Sequence, residues 1–178
     1  MNLVADMSSD FLARPVDVSK YALIYGGAQK IWGPAGVTVV IVKEDILGKV
    51  ERQILTMVDY RTHISKGSMF NTPPVFPIFA LVETLKWLKA LGGVNEIYKM
   101  NIEKAGILYN EIERNSLFEA NIPDPDDRSM MNITFVLKNE YKDKEQMFLD
   151  LAAERDIVEN QRTQISRWIP CQYLQCSS

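Results

Sequence analysis

The stretch Gly26-Gly27-Ala28-Gln29-Lys30-Ile31-Trp32-Gly33-Pro34-Ala35-Gly36 constrains this chain more than any other. It lies between Tyr21-Ala22-Leu23-Ile24-Tyr25, which reads as a short strand, and Val37 to Val42. The second run is β-branched and continuous, as expected of a strand buried on both faces. The spacing therefore predicts strand, glycine-rich turn and strand, with one lysine held between two groups of glycines. Glycine lets backbone approach a ligand closely and adopt positive φ. A lysine fixed at such a junction is a candidate amine nucleophile. From spacing alone the plainer reading is a surface turn lysine, which is common.

Asn2-Leu3-Val4-Ala5 reads as the end of a buried strand, with Asp6 at its carboxyl end. A carboxylate there can face a cation in the cleft above a sheet, where α/β proteins bind ligands. A helix cap or loop aspartate is the plainer reading. Farther on, Asn71-Thr72-Pro73-Pro74 carries helix-start signals, cap residues followed by proline in the first turn. Phe76, Phe79, Ala80, Leu85, Trp87, Leu88 and Leu91 follow at mostly helical spacing, and Trp87 is expected in the core. Gly92-Gly93 should stop that helix. Asn71 and Thr72 could donate to a phosphate at the helix start, or serve only as caps.

A second helix is expected from about Val94 to Asn115, a strand over 131–137, and a helix over 143–154. Pro123 to Asp127 reads as a turn. Helix, strand and helix in the last third suit a small α/β domain. The 178 residues are enough for one ordinary core, or for one small domain and part of another. Twenty basic and 23 acidic side chains give a net charge of −3, no footprint for nucleic acid or an anionic membrane. One His and two late Cys give no zinc finger, redox pair or disulfide framework, so no metal site is expected. The apolar runs are too short for a membrane span or a signal core, and the expected compartment is the cytoplasm. His63, the single histidine, follows Arg61-Thr62. That group could help position an anionic substrate or be structural.

Together these segments resemble a known family. Asp6-Met7-Ser8-Ser9, Ser19-Lys20-Tyr21, Tyr25-Gly26-Gly27-Ala28-Gln29-Lys30 and Gly33 to Val42 look like the phosphoserine aminotransferases of the class V aminotransferase family. Val58-Asp59-Tyr60-Arg61-Thr62-His63, Ser68-Met69-Phe70-Asn71-Thr72-Pro73-Pro74, Trp87-Leu88 and Gly92-Gly93-Val94 continue the match, which runs to about Asn160. The resemblance implies an α/β fold, a fragment of the fold type I of enzymes that use pyridoxal 5'-phosphate (PLP). It would comprise the end of the large-domain sheet and the small carboxyl-terminal domain. Residues 1–92 would belong to the large domain and 93–160 to the small one.

The implied reaction moves an amino group between glutamate and 3-phosphohydroxypyruvate, in serine biosynthesis. Lys30 matches the Schiff-base lysine, Asp6 the partner of the cofactor's ring nitrogen, and Gln29 a contact to its phosphate. Asn71 and Thr72 match the pair that reaches the cofactor phosphate of a neighbouring subunit, which implies a homodimer with shared sites. An inactive fragment of such an enzyme is the alternative. Ile31-Trp32 depart from the family, which has Asn and then an aliphatic residue between the lysine and Gly-Pro. The motifs of the family's amino-terminal half are also missing.

The last residues depart in a readable way. After Glu159 the resemblance calls for I-K-G-H-R-S-V-G-G-F-R-A-S-I-Y-N-A. Permitted codons for 160–177, read one base later, spell that segment. Residues 161–178 are therefore expected to be a frame-shifted tail without selected roles, Cys171 and Cys176 included.

Overall fold

The computed structural model describes residues 2–155 and 157. The expected tail at 161–178 lies outside them. Among the described residues, no helix is long and apolar enough to cross a membrane. The chain forms two compact units, Met1–Ile97 and Tyr98–Ser178.

The first unit is built on a three-stranded mixed sheet of order β1 (Val4–Asp6), β2 (Leu23–Gly27), β3 (Thr38–Val42). β1 runs parallel to β2, with Asp6 opposite Tyr25, and β2 runs antiparallel to β3, with Leu23 opposite Val42. The glycine-rich segment between β2 and β3 closes as a 3-10 turn, Ala28–Lys30. Ala28 carries much of it. Its carbonyl accepts from the N–H groups of Ile31, Trp32 and Gly33, and its own N–H donates to Val37.

Two expectations change here. β1 and β3 are the edges of this sheet, so neither is buried throughout. Val4 is 57% exposed, and β3 has exposed positions at Thr38 and Ile41 and half-buried ones at Val39, Val40 and Val42. A continuous β-branched run shows that a strand forms, but how many faces are covered depends on neighbours that the run itself does not encode. Ile24 on the central strand is the fully buried large side chain, as its place between the other two requires.

α1 (Tyr60–Ser65) is a short helix capped by the Asp59 carboxylate, which accepts from the Arg61 N–H. α2 (Val75–Ala90) follows Pro73-Pro74, with Pro74 at the cap and no side-chain capping bond. Neither Asn71 nor Thr72 caps it. Thr72 precedes a proline, which disfavours helical backbone, so the start moves past both prolines. α2 is apolar on most of its circumference. Leu81 is its buried residue, while Phe76, Phe79 and Trp87 are 71%, 60% and 57% exposed. Trp87 is thus not a core residue in this chain. Gly92 and Gly93 end the helix with φ of +111° and +81°, and their N–H groups return to the carbonyls of Lys89 and Leu88.

α3 (Val94–Arg114) leads into the second unit. There Ala105 and Ile112 pack with Ile133, flanked by Leu108, Tyr109, Phe118 and Phe135. β4 (Phe118–Ala120) pairs antiparallel with β5 (Phe135–Leu137). β5 is shorter than the strand expected over 131–137, because its partner has only three residues to offer. A 3-10 segment, Asn139–Lys144, precedes α4 (Glu145–Ala153), and Phe148 of α4 meets the rings of Phe118 and Phe135 edge-on. Arg128 closes the turn below this core. It donates to the Ile122 and Pro123 carbonyls, pairs with Glu113 at 2.6 Å and lies over the Tyr109 ring.

Candidate active site

A parallel pair of strands delivers two carboxyl ends to the same edge of a sheet. Here those ends carry Asp6, the last residue of β1, and Gly27, from which the chain turns directly into Gln29 and Lys30. The turn is short because Ala28 closes it with three N–H groups. Lys30 is thereby fixed one turn beyond the sheet.

The loop after β1 brings the two together. Met7 N–H donates to the Tyr25 carbonyl at 2.7 Å, extending the ladder by one rung. Ser8 then turns back on Asp6. Its N–H and its hydroxyl both donate to Asp6 Oδ1, at 2.9 and 2.7 Å. The same hydroxyl accepts from Gly27 N–H at 3.1 Å. Ser9 Oγ accepts from Lys30 Nζ at 2.9 Å. Asp6 and Lys30 are therefore each held by one of two consecutive serines.

Hydrogen bonds set the electrostatics. The Ser8 hydroxyl and then the Ser8 N–H hold the Asp6 carboxyl below its ordinary range, helped by the Tyr25 hydroxyl and the Lys30 charge. Asp6 in turn pushes the Tyr25 phenol up, with some desolvation and with Tyr60 nearby. An anion is thus maintained at the end of β1, beside an amine and a phenol.

Gln29 and Lys30 are both exposed, so Lys30 is not desolvated in this chain. The Gln29 amide folds back over Gly27, and a Cβ on Gly27 would collide with its Oε1. Glycine at 27 leaves the amide room. Asn71 and Thr72 lie ahead of α2 and are exposed, and among the described residues no hydrogen bond joins them to Asp6, Gln29 or Lys30. Arg61 is committed to Asp59, whose carboxylate takes Nε and Nη2, the latter at 2.7 Å. His63 Nε2 lies 2.9 Å from the Met57 carbonyl and therefore carries the proton there. Both residues serve the local fold.

Trp32, the departure beside Lys30, is 2% exposed and stacks on Phe11 with centroids 4.2 Å apart. It packs into the body while Lys30 stays exposed. Sequence reasoning did not single out Ser8, Ser9 or Tyr25 as site residues. The only available signal was that Ser8-Ser9 comes two residues after Asp6.

The donor set suits an aromatic cofactor with a ring nitrogen, an aldehyde and a phosphate. An anionic carboxylate, a primary amine and an amide beside a glycine-lined turn are of the right chemistry for each. Comparison with known proteins agrees. The Aminotransferase class-V family model matches residues 1–169. A phosphoserine aminotransferase of Azobacteroides pseudotrichonymphae genomovar. CFP2 is 59% identical over 156 residues, covering 88% of this chain and 43% of that protein. A solved phosphoserine aminotransferase, studied for radiation damage of its Schiff base, superposes with a TM-score of 0.78 at 48% identity, covering 86% of this chain and 42% of that one. The PLP-bound phosphoserine aminotransferase of Trichomonas vaginalis gives 0.79 at 34% identity, covering 88% and 45%.

The chain thus spans less than half the length of the relatives it matches. Its sheet-and-helix architecture is part of the aminotransferase fold, as the sequence resemblance implied, and membership implies pyridoxal phosphate as the cofactor. The family-model match and these likenesses carry one conclusion: the chain belongs to the class V aminotransferase family.

Proposed function

We propose that this chain is the lysine-bearing part of a PLP-dependent phosphoserine aminotransferase, which moves an amino group between glutamate and 3-phosphohydroxypyruvate in serine biosynthesis. The observation that carries the reading is the pairing of Asp6 and Lys30 at the adjacent carboxyl ends of β1 and β2, bridged through Ser8 and Ser9. When bound, PLP supplies an electron sink for the pair left behind when a substrate Cα–H bond breaks.

This chain's residues do the rest. Lys30 would hold the cofactor by its aldehyde end, and its Nζ would take and return the substrate's Cα proton. Asp6, kept ionised by Ser8, would hold a proton on the ring nitrogen. Gln29 would donate to the phosphate. Asn71 and Thr72 would donate to the phosphate of a neighbouring subunit, which suits the absence of any hydrogen bond between them and Lys30 among the described residues; the working unit would be a homodimer, in the cytoplasm. Residues 1–92 are read as the end of the large domain, 93–160 as the small domain and 161–178 as a frame-shifted tail. Sequencing the DNA across the Asn160 codon tests the tail.

A second reading has its own support. The exposure of Lys30 and of the α2 aromatics favours a fragment that does not turn over substrate by itself. Borohydride reduction in the presence of PLP, followed by peptide mass, separates the two. A cofactor adduct on Lys30, absent from Lys30→Ala, supports the enzyme. No adduct on folded chain sinks it. Turnover with glutamate and 3-phosphohydroxypyruvate then decides the substrate.

A further inference from the structure

Two catalytic groups on different strands need a device that fixes one against the other, since an error of about 1 Å in such a pair costs on the order of a hundredfold in rate. Strand pairing alone aligns backbone. It leaves the Asp6 carboxylate free to rotate and the long Lys30 stem free to sweep.

We propose that Ser8 and Ser9 are the positioning residues of this site: Ser8 locks the Asp6 carboxylate to the turn that carries Lys30, and Ser9 holds the Lys30 amine. The inference rests on the reading above and deepens it. Ser8 Oγ accepts from Gly27 N–H and donates to Asp6 Oδ1, so one oxygen ties the end of β1 to the start of the lysine turn. The Gly27 bond is partly buried and joins residues nineteen apart in sequence. Ser8 N–H fixes the same carboxylate oxygen from a second direction. Ser9 meets Lys30 Nζ from twenty-one residues away.

The residue types suit the task. A hydroxyl offers one donor and two acceptor sites. At Ser8 it uses both functions at once, which neither Ala nor a carboxylate could do. At Ser9 it can accept from an ammonium and donate to a neutral amine. It therefore keeps hold of Lys30 Nζ in either protonation state of a proton-shuttling lysine. An acidic residue there would favour the ammonium alone. Because the serines are consecutive, a shift of this loop moves both grips together.

The test uses the full chain without cofactor, so it is independent of whether PLP binds. Carboxylate NMR of Asp6 is followed through an acid titration, with Tyr25 and Lys30 as the other titratable groups facing it. In Ser8→Ala the Asp6 midpoint moves up, because a bond to its charged form is lost, and Ser8→Thr restores it. Labelling of Lys30 by an amine-reactive probe is read by peptide mass, with Lys20 and Lys43 as internal standards. In Ser9→Ala, Lys30 labels about threefold faster than in the parent chain, the scale of one weak exposed hydrogen bond, and Ser9→Thr reverses this. Circular dichroism checks that each variant is folded.

An unmoved Asp6 midpoint in folded Ser8→Ala, or unchanged Lys30 labelling in folded Ser9→Ala, overturns the proposal. So does an equal rise in labelling of all three lysines, which would mean general loosening. If the serine effects appear and borohydride still fixes no PLP, the positioning device stands and the enzyme reading falls.

Discussion

Trp32 shows how a single side chain two residues from Lys30 can belong to the scaffold. It is buried, stacked on Phe11, and its Nε1–H has no acceptor among the described residues. Removing the ring should cost about 3–5 kcal/mol, as other large-to-small core changes do. Trp32→Phe keeps a ring for Phe11 and deletes the unpartnered donor, so its loss should stay below about 1.5 kcal/mol. Urea denaturation of the two variants measures the difference, and equal losses would mean that the indole's polar edge matters. At the same scale, the particular neighbours of Asp6, Lys30 and Gln29 mark them as candidates in the sequence, and the structure places Asp6 and the lysine turn at adjacent strand ends. The hydrogen bonds of Ser8 and Ser9 were not legible. Their partners, Gly27 and Lys30, lie about twenty residues away, and serine after aspartate otherwise reads as an ordinary turn.

Helix ends and strand edges show where pattern reading holds. The Gly92-Gly93 stop follows from local chemistry, since few other residues accept positive φ. The two glycines should nevertheless differ on substitution. A Cβ on Gly92 would lie 2.6 Å from Glu96 Cγ, whereas nothing lies within 4 Å of one on Gly93. Gly93→Ala should therefore show the backbone penalty alone, about 1 kcal/mol, and Gly92→Ala more. Thermal melts of both would rank them, and the reverse order would contradict this geometry. The position of α2 was legible, but its burial was not. Periodicity records that Phe76, Phe79 and Trp87 are apolar, not what covers them. Exposed as they are, these side chains should drive self-association. Phe76→Glu with Phe79→Glu should shift the chain toward smaller species in size exclusion, with stability within about 0.5 kcal/mol for each surface change. Unchanged elution would show that α2 is not the sticky face.

Over the whole molecule, several carboxylates share one kind of bond. The Ser8 hydroxyl lowers Asp6, the Ser19 hydroxyl lowers Asp17, and the guanidinium groups of Arg61 and Arg114 lower Asp59 and Glu111. A carboxyl lowered in the folded state adds stability that is complete above its unfolded pKa and is lost as pH falls through the folded one. The melting temperature should therefore be level through neutral pH and decline below about pH 4. Three of these groups are exposed and Asp59 is half-buried, so the decline should be gradual. A fall beginning near pH 6 would point to a group not among these four. The two units of the chain each have their own packing. The rise of α3 out of the Gly92-Gly93 stop was readable in sequence, while β4 was missed because three residues carry too little alternation to detect.

β1 has only three paired residues and lies at an edge, held on one side by β2. Such a strand exchanges its amide hydrogens early, through local opening that leaves the central strand intact. Asp6 rides on that strand, while Lys30 rides on a turn closed within ten residues of the β2–β3 hairpin. Under mild denaturant the carboxylate should therefore part from the amine well before the chain unfolds. The molecule would pass through a state that is still folded by any global measure and in which these two side chains no longer share an edge.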